Sequence, residues 1–178
     1  MTKKQIKNMH MKKIIIYSLY LFSIAALFTA CRKEDNAQLP GLIRFPLPVV
    51  AKVAGSDQNI TAASPNTFSG KFSVGLYFPN DAPPKKYDIV AIKNNNKADV
   101  KMIKADVTSF PTEVTVTGTQ LATLFGAPIV AGDRFDISVD VYTNTGEKFE
   151  AFPVTGNPYA SGIAAQPAST TFIRYTAQ

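Results

Sequence analysis

The chain has 178 residues, 46% of them hydrophobic and 18% charged, with twelve phenylalanines, seven tyrosines, no tryptophan, one cysteine and one histidine. Its formal charge is +6, yet residues 1–30 hold five lysines and no acid, so the remainder carries 14 basic against 13 acidic residues. That balance leaves no basic stripe of the kind nucleic acid requires.

The leader reads in three parts. Lys12 and Lys13 form a basic start, Ile14 to Ala26 an apolar stretch, and Leu27-Phe28-Thr29-Ala30-Cys31 a small-residue end. A spanning helix wants about 20 apolar residues, whereas a signal segment has about 7–15 followed by a small-residue cleavage site. Ser18, Ser23 and Thr29 interrupt this run, which favours the signal. An uncleaved single-pass anchor is the competing reading, and Met11 is an alternative start to Met1.

Leu27 to Cys31 resembles the lipobox of bacterial lipoproteins, where a peptidase cuts before a cysteine that then takes lipid. Phe28 departs from the aliphatic residue usual at its position. A thiolate is the nucleophile suited to that acylation, and each buried CH₂ contributes about 0.8 kcal/mol, so several chains, palmitate among them, hold durably. The resemblance implies a signal peptide over 1–30 and lipidation at Cys31. Arg32-Lys33-Glu34-Asp35 follows at once. Lys33, Glu34 and Asp35 resemble the export signal that sends Bacteroidota lipoproteins to the outer face of the outer membrane. Residues 31–41 are then the lipidated cysteine and a flexible polar tether.

Residues 42–178 suffice for one domain with a core. Phe72, Val74, Leu76 and Phe78 alternate with Lys71, Ser73, Gly75 and Tyr77, which predicts a strand with one apolar face. Pro79 to Pro84 ends it. Tyr87 to Ile92 carries apolar residues on both faces, as a central strand does, Asn94-Asn95-Asn96 is a turn, and Val100 to Val107 resumes. After the β-branched run Glu113 to Thr117, Thr119 suits an N-cap, Leu121, Leu124 and Phe125 share a helical face, and Gly126 suits a left-handed stop.

The clearest hairpin comes next. Phe135, Ile137, Val139 and Val141 face one way and Asp136, Ser138, Asp140 and Tyr142 the other; Asn144-Thr145-Gly146 turns the chain, and Lys148 to Val154 returns. A stretch rich in Gly, Pro, Ala and Ser, from Thr155 to Thr170, precedes a last strand over Thr171 to Thr176. At that length it is an excursion at one edge or partly mobile. Seven or eight short strands with one short helix predict an all-β fold, an antiparallel sandwich of immunoglobulin or fibronectin type III style. A small closed barrel is the alternative.

The lipobox, Lys33-Glu34-Asp35, and the run Phe110 to Gly126 followed by Gly132-Asp133-Arg134-Phe135 resemble small Bacteroidota surface lipoproteins that accompany SusC/SusD-type nutrient uptake systems. The order of strand, short helix, glycine and strand is similar to the first, Ig-like domain of SusE-type proteins. The resemblance implies an accessory role at the cell surface, with a glycan or a SusC/SusD-type complex as partner. No binding residue carries over from it.

Chemistry is sparse. His10 lies in the leader and Cys31 is assigned to lipid, so residues 32–178 hold no histidine base, triad or thiolate metal site. No phosphate loop or dinucleotide fingerprint occurs, and no cofactor, metal or catalytic residue is expected. Asp133, Asp136 and Asp140 fit no calcium loop and read as members of solvated strand faces. Tyr77, Tyr142 and Tyr159 are the candidate ligand-binding residues, since an aromatic face complements the C–H side of a sugar. A binding or accessory module is the leading reading. A structural or adhesion protein is the second, and an enzyme with paired carboxylates the third.

Overall fold

The computed structural model describes residues 45–160 and 170–178. The expected signal peptide, Cys31 and the Lys33-Glu34-Asp35 signal lie outside the described residues, as do 161–169 of the late excursion. Phe72 and Val74 turn inward on β2 (Ser69–Leu76), which pairs with β1 (Pro48–Lys52) on one side and β5 (Thr112–Thr117) on the other. A second antiparallel sheet places β3 (Lys86–Lys93) between β4 (Lys101–Val107) and β6 (Arg134–Tyr142). The far edge of β6 is shared. β7 (Lys148–Phe149) pairs with Val141 and Tyr142, and β8 (Ile173–Thr176) pairs with Arg134 to Ile137.

The described chain therefore builds eight strands in two antiparallel sheets with one α-helix, the all-β sandwich that the alternation predicts. β1, β2 and β5 take the places of strands A, B and E of an immunoglobulin-type sandwich, and β3, β6 and β7/β8 those of C, F and G. Because the two ladders stay separate, the closed-barrel alternative falls away.

Val50, Phe72, Val74 and Val116 from the first sheet join Tyr87, Ile89, Ala91, Ile137, Val139, Val141 and Tyr175 from the second in one buried cluster. Each buried valine, isoleucine or phenylalanine among them contributes about 1.5–3 kcal/mol of transfer free energy. Phe68 and Tyr175 meet edge to face at 5.0 Å, directly over Gly70. A Cβ at Gly70 would lie 2.6 to 2.9 Å from those rings, so the sheets approach this closely only with glycine there.

The helix α1 (Gly118–Phe125) carries the chain from the first sheet to the second. Its N-cap is Thr117, whose hydroxyl accepts the Gln120 N–H at 3.1 Å, and not the expected Thr119. The helix begins two residues earlier because Gly118 can pass beside the Pro65 carbonyl, which any Cβ would strike. Leu121 is buried, and Gly126 closes the helix at φ +63° as expected. Two other expectations shift. β2 ends at Leu76, leaving Phe78 beyond the strand and 49% exposed, and the return of the hairpin pairs over Lys148 and Phe149 only.

Candidate functional site

β6 is central, and its outward side chains are not solvated. Asp136 is 4% exposed and Asp140 7%, which corrects the reading of these aspartates as a wet strand face. β7 and β8 leave a gap along β6, and the return of the chain fills it. The Ala151 N–H donates to Asp140 Oδ1 at 3.0 Å. The Tyr159 hydroxyl donates to the Val139 carbonyl at 2.9 Å and lies 2.9 Å from Ser138 Oγ. Arg174 on β8 forks onto Asp136, Nε to Oδ1 at 2.6 Å and Nη2 to Oδ2 at 2.8 Å. Each polar group in the gap thus has the partner that burial demands.

At one end of this sheet a bulge builds a charge network. Tyr87 opposes Val107 and Ile89 opposes Lys104, so β4 carries one extra residue against Asp88. Asp106 takes a left-handed conformation there, and its N–H donates to Asp88 Oδ1 at 2.8 Å. Lys86 Nζ then bridges Asp106 at 2.8 Å and Asp88 at 3.2 Å. Across β6, Lys148 Nζ bridges Asp140 at 2.9 Å and Glu150 at 3.1 Å. Burial opposes the charge of Asp88, but the Asp106 N–H and Lys86 outweigh it and hold the carboxyl below its ordinary range. Burial likewise opposes Lys148, and Asp140 and Glu150 overcome it and raise its pKa. Asp88 and Asp140 sit opposite each other in register, each with its own lysine.

The three tyrosines do not make a common platform. Tyr159, expected in an exposed loop, is 3% exposed, with its hydroxyl spent inside the gap, so its proposed ring face is withdrawn from solvent. Tyr142 is half-buried, with Lys86 Nζ 4.4 Å and Lys148 Nζ 5.9 Å from its ring centre, so ammonium groups occupy the space a sugar ring would take. Tyr77 is half-buried and packs edge to face on Phe78 at 4.7 Å.

An open groove lies beside this network. It encloses about 460 Å³ between β7 and residues 153–157, walled by Lys148, Phe149, Glu150, Pro153, Thr155, Gly156 and Asn157, with Tyr159 at its floor. The volume falls in the range of small-ligand sites. An aromatic ring, a hydroxyl, an amide and a mutually paired Lys148–Glu150 face it, which suits a neutral ligand rich in hydroxyl or amide groups. Phe149, Thr155 and Asn157 escaped the sequence reading. The only signal for Thr155 and Asn157 was the long Gly- and Pro-rich excursion after the hairpin, and Phe149 read simply as part of the return strand.

Among the described residues no three of His, Cys, Asp and Glu are placed to hold a metal ion, and no helix is long and apolar enough to cross a membrane. No protein-family model matches the chain, and neither a curated protein nor a solved structure matches it.

Proposed function

We propose that this chain is an outer-membrane lipoprotein, anchored at Cys31 and facing the cell exterior, whose sandwich domain is a non-catalytic binding module for nutrient uptake. A glycan is the proposed ligand and a SusC/SusD-type complex the proposed membrane partner. The lipobox ending at Cys31 and the Lys33-Glu34-Asp35 run support the address. The groove beside β7 is the one observation that carries the binding role. Among the described residues, buried Asp88, Asp133, Asp136 and Asp140 are each held by a lysine or arginine, which supports a structural role for these carboxylates.

The structural or adhesion reading has less behind it. The open edge of β4 carries Lys101, Lys104 and the Asp106 bulge, devices that discourage strand pairing between molecules. Two measurements test the proposal. Radiolabelled palmitate should enter the wild-type chain and not Cys31→Ser, and added protease should reach the domain on intact cells. Calorimetric titration of residues 32–178 against a polysaccharide panel should give a ligand whose binding Phe149→Ala and Asn157→Ala weaken at least several-fold. Binding only to isolated outer membranes, insensitive to both substitutions, would move the role to protein contacts.

A further inference from the structure

We infer that the end of the domain where the tether joins it, with Phe78 at the tip, rests on the bilayer interface. This rests on the lipid anchor proposed above. The first described residues are pinned to one end of the sandwich. The Phe45 ring packs edge-on against Phe149 at 4.9 Å, the Tyr87 hydroxyl donates to the Pro46 carbonyl at 3.0 Å, and the Tyr77 N–H donates to the Leu47 carbonyl at 2.9 Å. This is the end at which β2 and β6 finish and β3 begins. Phe78 stands two residues past β2 and shares a shallow dent with Pro46, Leu47 and Leu76.

Covalent geometry then ties that end to the membrane. Thirteen residues separate Phe45 from Cys31, and the fourteen steps between them, at up to about 3.6 Å each, reach no farther than about 50 Å. The opposite end, marked by the turn from Val130 to Asp133 before β6, lies about a strand length, roughly 30 Å, beyond. The chain thus keeps the tether-joined end within about 50 Å of the bilayer, whereas the opposite end can stand up to about 80 Å away.

The chemistry of that end suits an interface. Phe78 is 49% exposed, and its ring is steadied by Tyr77 at 4.7 Å. The other exposed large aromatic among the described residues, Phe172, has the Arg174 guanidinium 5.8 Å from its ring centre. Pro79, Ala82 and Pro83 follow Phe78, and the exposed Lys85 can direct its ammonium to headgroups while its stem lies on apolar surface. Asp81 in the same dent favours a shallow seat at headgroup depth over burial among acyl chains. One phenylalanine gives a free domain little affinity. A short tether, however, supplies an effective concentration on the order of millimolar, at which a weak contact is occupied.

The chain's composition makes the test clean, because Cys31 is its one cysteine and it has no tryptophan. The mature chain, coupled through Cys31 to maleimide-headgroup lipid in phosphatidylcholine vesicles, is prepared as Phe78→Trp and as Val130→Trp. Brominated acyl chains should quench the tryptophan of Phe78→Trp several-fold more than that of Val130→Trp, and Phe78→Trp with Cys31 capped and uncoupled should stay unquenched. Equal quenching of the two coupled variants, or none for Phe78→Trp, would overturn the proposal. If Phe78→Trp loses its native circular dichroism, Ala82→Trp reads the same dent. Coupling fixes the anchor chemically, so failure here condemns the orientation, whereas absence of palmitate on Cys31 in cells condemns the anchor.

Discussion

On β2 of the three-stranded sheet, Ser69 and Lys71 are exposed while Gly70, Phe72 and Val74 are buried. On β6 of the other sheet, every side chain from Phe135 to Val141 is buried, although its sequence alternates just as regularly. Alternation thus decides which residues meet the core between the sheets. Whether the second face meets water depends on what the chain lays over it. β6 has strands on both edges and a return segment plugging the gap between β7 and β8, so its aspartates had to find cations or backbone donors.

The contrast can be broken by substitution, with urea denaturation as the measure. The largest loss belongs to the inner face, where Ile137→Ala should cost about 3–4 kcal/mol by opening a cavity in the shared core. Next comes the outer face of the second sheet. Arg174→Ala strands a buried Asp136 carboxylate and should cost about 3 kcal/mol, whereas Asp136→Leu frees an arginine that reaches water and should cost under about 1. The matching test on the first sheet, Lys71→Ala, should fall within about 0.5 kcal/mol. Equal costs for Arg174→Ala and Lys71→Ala would remove the distinction between the sheets. Tyr159→Phe comes between, at about 1 kcal/mol, because the Val139 carbonyl loses its donor in the gap.

What sequence could and could not reveal follows the same division. Local signals held. The alternation of β2 and β6, the two apolar faces of β3 and the Gly126 stop are set by neighbours a few residues away. The burial of Asp136 depends on Arg174, 38 residues on, and that of Tyr159 on Val139, 20 residues back, and no periodicity announces either. Of the candidate tyrosines, Tyr159 lies at the proposed groove, but not as an exposed ring. It floors the groove from within the core, while Phe149 and Asn157, brought beside it by the fold, form the walls.

The smallest effects are spread over pH, and they separate the two parts of the molecule most cleanly. Asp88 and Asp133 have carboxyl pKa values below their ordinary range. Burial opposes this in both, and it is outweighed by the Asp106 N–H and Lys86 at Asp88, and by Lys93, the Val130 N–H and Asn94 at Asp133. A depressed folded pKa contributes stability that is present above the unfolded value of about 4 and lost as pH falls through the folded one. The urea midpoint should therefore hold from about pH 7 to pH 5 and decline below about 4, less steeply in Asp88→Asn. At the other extreme, burial pushes Tyr175 up to about 12, and Tyr87 and Tyr159 are raised as well. An elevated folded pKa contributes stability present below the unfolded value of about 10 and lost as pH climbs through the folded one. Tyr175 donates to the Lys71 carbonyl at 3.3 Å and so ties the two sheets through the core. Tyr175→Phe should then flatten the alkaline decline and leave the acid one alone, with Asp88→Asn doing the reverse. Acid sensitivity then belongs to the charged rim of the five-stranded sheet, while the alkaline limb draws on Tyr175 between the sheets together with Tyr159 in the gap along β6 and the raised Lys148 of the rim, and a Tyr175→Phe variant that moved the acid limb as well would show that the core and the rim are not separate.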